Sequence, residues 1–182
     1  MGTIYHYSSM LHLPWILSEG ELRGMPGLGV EKGFPPYDFL WATTSPHVDK
    51  TSTTYTQYRS GTTTAVRFIL PAESFFPWAE ASERYPEWTP RVVGALNRAA
   101  VERGADHSQW FCRRAPLAVD GLPAGSIQIR RYTDRAWRTV SPNVLVKQTS
   151  DGLPCIGVEI EGREYFSTRH RMPNGAIAHA AA

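Results

Sequence analysis

An α+β fold on a mostly antiparallel sheet is what this sequence predicts, and three observations predict it. Short runs of β-branched and aromatic residues recur along the chain, most of them closed by Gly or Pro. Two stretches carry apolar residues at clear helical spacing, one near the N-terminus and one just after Thr89-Pro90. Beyond Pro142 the pattern changes to strands with tight turns, signalled by Asp151-Gly152 and Glu161-Gly162. A chain of 182 residues is long enough for one compact domain with a core, or one domain and a small appendage. The expected division is a main domain over 1–140, a β-hairpin extension over 141–171 packed on it, and a frayed tail over 172–182.

Taken in order, Thr3-Ile4-Tyr5-His6-Tyr7 reads as the first strand. Ser8 or Ser9 is placed to cap a helix carrying Leu11, Leu13, Trp15, Ile16 and Leu17, which stops at Gly20. Residues 24–33 hold several Gly and a Pro and read as a loop, which Pro35-Pro36 prolongs. Asp38 to Thr44 is the second strand, ended by Ser45-Pro46. A short helix is expected to start near Asp49. Thr62 to Leu70 is a strand with Thr64, Val66, Phe68 and Leu70 on one face, closed by Pro71. Phe75 to Trp88 is irregular and aromatic.

Thr89 caps the next helix, with Pro90 at its first position; Val92, Val93, Leu96, Ala99 and Ala100 form its stripe, and Gly104 ends it. Strands are expected at Ser108 to Arg113, Ser126 to Tyr132 and Ala136 to Val140, and the hairpin unit covers about Asn143 to Thr168.

Composition narrows the function. A net charge of +2 is not the strong basic field that announces nucleic-acid binding. The pairs Arg113-Arg114 and Arg130-Arg131 fall in strand-like runs where neighbours face opposite ways. The two cysteines, Cys112 and Cys155, make neither a disulfide framework nor a four-thiolate metal site, and read as small buried residues. With no basic-then-apolar leader and no apolar run of membrane-spanning length, the expected setting is cytoplasmic, without membrane or metal. There is no P-loop, HExxH, GxSxG or CxxC pair. Gly27-Leu28-Gly29 is no dinucleotide fingerprint, because no strand feeds it and the third Gly is misplaced.

The informative feature is a set of local patterns in fixed order. Tyr5-His6-Tyr7-Ser8-Ser9 precedes the helix around Leu13-Pro14-Trp15-Ile16-Leu17, then Gly20 and Leu22, then Leu40-Trp41-Ala42-Thr43-Thr44-Ser45-Pro46. This order resembles the opening of the diphtheria-toxin-like, or H-Y-E, class of ADP-ribosyltransferases, which includes the poly-ADP-ribose polymerases and DarT-type toxins. The resemblance covers roughly Ile4 to Val140 and implies a split antiparallel sheet that binds NAD as a substrate.

On that resemblance His6 is the first signature residue, its side chain donating to an NAD ribose hydroxyl. The neighbouring strand backbone at Tyr7 orients the nicotinamide amide, and Ser8 supplies a hydroxyl. Trp41 and Thr43 wall the pocket, Thr51 and Ser52 follow, and Tyr55 stacks on the nicotinamide ring. Trp41 reads equally as core, and Thr51 and Ser52 equally as helix caps.

The third signature position, normally Glu, aligns with Gln109. Gln keeps the shape and hydrogen bonds of Glu but not the charge that steadies an oxocarbenium-like transition state. Three explanations stand open: a natural weakly active or binding-only member, a Glu replaced by Gln, or a charge supplied instead by Glu83, Glu87 or Asp106.

The implied activity is transfer of ADP-ribose from NAD to a macromolecular acceptor. Arg113, Arg114, Arg130 and Arg131 lean slightly toward RNA or DNA over protein, and read equally as a solvated basic face. For a small stand-alone member the resemblance further implies a toxin or phage-defence role and a neutralising antitoxin. The alternatives are an NAD- or ADP-ribose-binding module and an NAD glycohydrolase. Cys112 with His107 as a nucleophile pair is remote, since five residues along a strand face opposite ways.

Overall fold

The computed structural model describes residues 2–24, 35, 39–148, 150, 152, 154–167, 169–171 and 177–179. Its first strand, β1 (Ile4–Ser9), runs into helix α1 (Leu13–Glu19), which Gly20 ends in the left-handed region at φ 72°. Ser8 and Ser9 therefore belong to the strand; the residue before α1 is His12, whose side chain makes no cap bond. Strands β2 (Glu21–Leu22) and β3 (Leu40–Thr43) follow, and the expected loop from residue 25 to 34 lies outside the described residues together with Gly27-Leu28-Gly29.

The helix expected near Asp49 begins later, as α2 (Tyr55–Arg59). Asp49 instead turns the chain, its Oδ1 accepting from the amide and hydroxyl of Thr51 at 2.8 and 2.5 Å. Next come β4 (Ala65–Leu70), β5 (Phe76–Pro77), a short α3 (Ala81–Arg84) and α4 (Pro90–Glu102). Thr89 caps α4, its hydroxyl accepting from the Val92 amide, and Gly104 takes φ 68° beyond its end. The stretch read as strand from Ser108 opens with a 3-10 turn over His107–Gln109 before β6 (Trp110–Arg113). Asp106 makes that turn by accepting from the Ser108 amide and hydroxyl.

Strand β7 (Leu117–Ala118) pairs with β2 in a separate two-stranded sheet, and β8 (Ile127–Arg130) and β9 (Arg138–Thr139) complete the main one. The C-terminal unit is β10 (Asn143–Gln148), β11 (Pro154–Ile160) and β12 (Arg163–Phe166). Glu161 and Gly162, at φ 52° and 75°, make its two-residue turn as expected. Gly157 sits there because a Cβ would lie 2.6 Å from the Phe166 ring. The tail read as frayed contributes a strand, β14 (Ile177–His179), which pairs with β13 (Arg169–Arg171) at the end of the hairpin extension.

The fold is α+β with mostly antiparallel sheets and few short helices. The main sheet has seven strands in the order β5-β6-β3-β1-β4-β8-β9, and every pairing within it is antiparallel. Alternation gives the sheet two distinct faces. The first carries Ile4, Leu40, Ala42, Val66, Phe68, Leu70 and Ile129, covered by Leu13 of α1 and by Val158 and Ile160 of the C-terminal sheet. That cover makes the hairpin unit part of the core. Trp15 Nε1 donates to Ser167 Oγ at 2.6 Å across the same junction.

The second face divides in two. Toward β5 and β6 an aromatic cluster of Phe39, Phe76, Trp78, Trp88 and Trp110 packs beneath α4 through Val92 and Ala100. Toward β4 and β8, Tyr7, Val48, Tyr58 and Ala65 pack together with Tyr5, Tyr55 and Trp137. Among the described residues no helix is long and apolar enough to cross a membrane, and no group of His, Cys, Asp and Glu is arranged to hold a metal.

Candidate functional site

His6 stands in the middle of the central strand. Its register partner on β4 is Phe68, and the two rings lie 6.3 Å apart on the face covered by α1. On the other side of β1 the sheet is nearly split. Strands β1 and β3 share one bridge, Tyr5 with Thr43, whereas β1 and β4 pair along six residues.

The Met10 amide donates to the Thr64 carbonyl, so even-numbered amides of β1 point to β4 and those of Tyr5 and Tyr7 point to β3. Continuing the register would set Tyr7 opposite Trp41. The ladder does not continue there; instead the imidazole Nδ1 of His6 bonds the Trp41 carbonyl at 2.7 Å.

That bond defines the chemistry of His6. A carbonyl only accepts, so Nδ1 carries the proton. Burial holds the imidazole pKa below its ordinary 6.5, outweighing the opposing pull of the Trp41 bond. The ring is therefore neutral near pH 7, with Nε2 as an acceptor. This corrects the donor role expected of it: toward a ribose hydroxyl, a neutral ring fixed in this tautomer accepts a hydrogen bond through Nε2.

The same shift predicts a pH effect on stability. The unfolded chain binds a proton to this imidazole before the folded one does, so stability from His6 is full above pH 6.5 and falls as pH drops below it. His6→Asn, whose side-chain amide still donates to Trp41, is expected to flatten that acid-side fall. Melting temperatures from pH 7.5 to 5 measure it, and equal slopes for both proteins would disprove the assignment.

The other expected site residues scatter. Tyr55 lies with Tyr5 and Tyr7 on the face opposite His6, so the expectation that Tyr55, as the ring stacked on nicotinamide, shares one cleft with His6 is corrected: sheet alternation separates the two. Tyr7 is buried, its hydroxyl donates to the Ser45 carbonyl at 2.8 Å, and burial pushes its pKa up, which keeps that proton in place. Trp41 packs against Trp78 and Trp110 with ring centres 4.9 and 5.6 Å away, which makes it core on the face opposite His6.

Thr43 is buried and accepts from the Ser45 amide. Ser8 Oγ lies 3.5 Å from His12 Nδ1. Neither Thr51 nor Ser52 caps α2, whose cap position is Thr54; Thr51 is bound to Asp49, and the buried Ser52 Oγ has no hydrogen-bond partner.

Gln109 is joined to the same sheet through its carbonyl, which accepts from the Thr44 amide, and one strand, β3, separates it from β1. Its side-chain amide donates to Asp106 Oδ2 at 3.1 Å. Bonds from Ser108 first, and from Gln109, hold the exposed Asp106 carboxyl below the usual range. Of the other carboxylates considered, Glu83 is exposed on α3 and Glu87 pairs with Arg114 at 3.7 Å. Cys112 is buried in the core, as expected of a structural cysteine.

Sequence reasoning passed over Arg67. This nearly buried cation lies between the rings of Tyr5 and Trp137, 4.5 and 4.4 Å from their centres, and donates to the Pro46 carbonyl and to Gln128. The signal was a lone charge at the centre of an otherwise apolar strand, Val66-Arg67-Phe68. Asp49 was passed over too; its Oδ2 accepts from Trp110 Nε1 at 2.7 Å and ties the loop after β3 to β6.

Compared with protein-family models, curated proteins and solved structures, the chain matches none.

Proposed function

We propose that this chain binds NAD where the ladder between β1 and β3 stops and transfers its ADP-ribose to a macromolecular acceptor, as the resemblance to H-Y-E ADP-ribosyltransferases implies. One observation supports the reading above the others: the ladder between two central neighbours stops after a single bridge, beside His6. There the strand edge at Tyr7 faces β3 without a continuing partner strand, the arrangement needed to grip a primary amide by backbone N–H and C=O. His6 Nε2, held neutral, accepts from a ribose hydroxyl.

Binding without turnover is the second reading, and a specific observation favours it. Gln109 carries no charge, and its amide is occupied by Asp106. NAD hydrolysis without an acceptor is the third outcome the same assay resolves.

The test is incubation with labelled NAD and total RNA, DNA or cell extract. Label on nucleic acid supports transfer to that acceptor, free ADP-ribose alone supports hydrolysis, and saturable NAD binding without either product supports the module. His6→Asn retains the bond to Trp41 and removes the Nε2 acceptor. NAD affinity or use is expected to fall about tenfold in it, the scale of one lost hydrogen bond. No NAD binding by the parent chain, or none lost in His6→Asn, would overturn the site.

A further inference from the structure

We infer that the hollow between the end of α2 and the turn after β8 docks single-stranded polynucleotide. It supplies an acceptor surface for the reading above, yet its test uses no NAD, so either reading can fail without the other.

The hollow has a volume of about 310 Å³ and is lined by Arg59, Thr62, Thr63 and Thr64 on one side and by Arg131 and Tyr132 on the other. Its first wall is preformed. Ser60 and Thr62 hydroxyls both donate to the Gln57 carbonyl at 3.0 Å, and Gly61 turns the chain at φ 77°.

Among the described residues, neither the Arg59 nor the Arg131 guanidinium has a hydrogen bond or an ion pair, and Arg130 adds a third cation on the adjoining strand. The nearby carboxylate is Asp134. It accepts from the Arg131 backbone amide at 2.9 Å, while the Arg130 guanidinium donates to the Asp134 backbone carbonyl. Positive charge therefore exceeds negative around the hollow, and two of its cations are uncommitted.

Beside them stands a flat ring. Tyr132 is 50% exposed, and buried Tyr58 meets it edge-on with centres 5.5 Å apart. Tyr132 is thus held by a buried neighbour while half of its surface stays open to solvent. Free cations next to an anchored, exposed aromatic are the two elements of single-strand recognition: guanidinium on phosphate, ring on an unstacked base. The space is at the small end for a ligand pocket, which suits one nucleotide of a longer strand.

The experiment is fluorescence anisotropy with a labelled single-stranded oligonucleotide across a salt series. The Arg59→Ala/Arg131→Ala protein is expected to bind at least tenfold more weakly and with a shallower salt dependence. Tyr132→Ala is expected to lose on the order of tenfold, and Tyr132→Phe to retain binding. The charge control is Arg91→Ala/Arg98→Ala, two exposed arginines on α4. Any of four results overturns the inference: parental affinity in the Arg59/Arg131 protein, equal loss in the control, equally tight binding of a duplex of the same length, or competition by a mononucleotide at the oligonucleotide's own concentration.

Discussion

Trp78→Ala is expected to destabilise the fold by about 3–5 kcal/mol, the range for emptying a buried tryptophan site. Trp78 is 2% exposed and touches three other tryptophans, with ring centres 4.9 Å from Trp41, 5.7 Å from Trp88 and 6.4 Å from Trp110. Its Nε1 donates to Asn97 Oδ1 at 2.7 Å, which fastens α4 to the sheet. Alanine removes the ring contacts and strands the Asn97 acceptor at once. Trp78→Phe keeps most of the apolar contact and loses the bond, so about 1–2 kcal/mol is expected from it. Since a domain of this size has roughly 5–15 kcal/mol of stability, the alanine variant removes a large share. Urea unfolding of the three proteins measures the series. A Trp78→Ala loss below about 1 kcal/mol would show that the cluster closes over the gap and that ring packing does not hold α4 down.

The same cluster shows what the sequence made legible. Thr89-Pro90 announces α4 by itself, because capping chemistry is local. Glu161-Gly162 announces its hairpin for the same reason. Phe75 to Trp88 gave no period to read, since its aromatics are placed by a two-residue strand, a 3-10 turn and a one-turn helix rather than by one long element. The strand pair of β2 with β7 was equally silent: two residues on each side carry too little pattern, and the pairing joins Glu21–Leu22 to Leu117–Ala118 across most of the domain.

At the site, His6 was readable as a strand residue with an unusual neighbourhood. What it faces was not. Sheet alternation, applied to β1 alone, puts His6 opposite Tyr5 and Tyr7, but where Tyr55 docks depends on the path of residues 45–54, which local signals do not encode. Pro46 shows why. Its carbonyl accepts from both Arg67 and Trp137, so the loop is placed by a buried cation on β4 and an indole just before β9, remote from it in sequence.

Gln109→Glu is expected to raise the rate of NAD cleavage by about 30- to 1000-fold, equivalent to about 2–4 kcal/mol of added transition-state stabilisation. The backbone at this position is held independently of the side chain, because the Gln109 carbonyl accepts from the Thr44 amide and Thr44 directly follows the residue bridged to β1. The substitution is isosteric, so the fold accepts it. One contact changes sign. The amide that donates to Asp106 becomes a carboxylate facing a carboxylate, and the new side chain turns away from Asp106.

Like charge also raises the pKa of the new acid. Activity, which needs the ionised form, is therefore expected to rise with pH through the carboxylate range, and Asp106→Asn in the same protein to move that rise to lower pH. Asp106→Asn alone separates the remaining possibility: if Asp106 itself supplies the charge, the parent chain is already active and this single change abolishes that activity. Labelled NAD and a pH series decide among these. A Gln109→Glu, Asp106→Asn protein that binds NAD as the parent does and cleaves it no faster would remove residue 109 from the chemistry. The proposed NAD site beside His6 would then be a binding site alone.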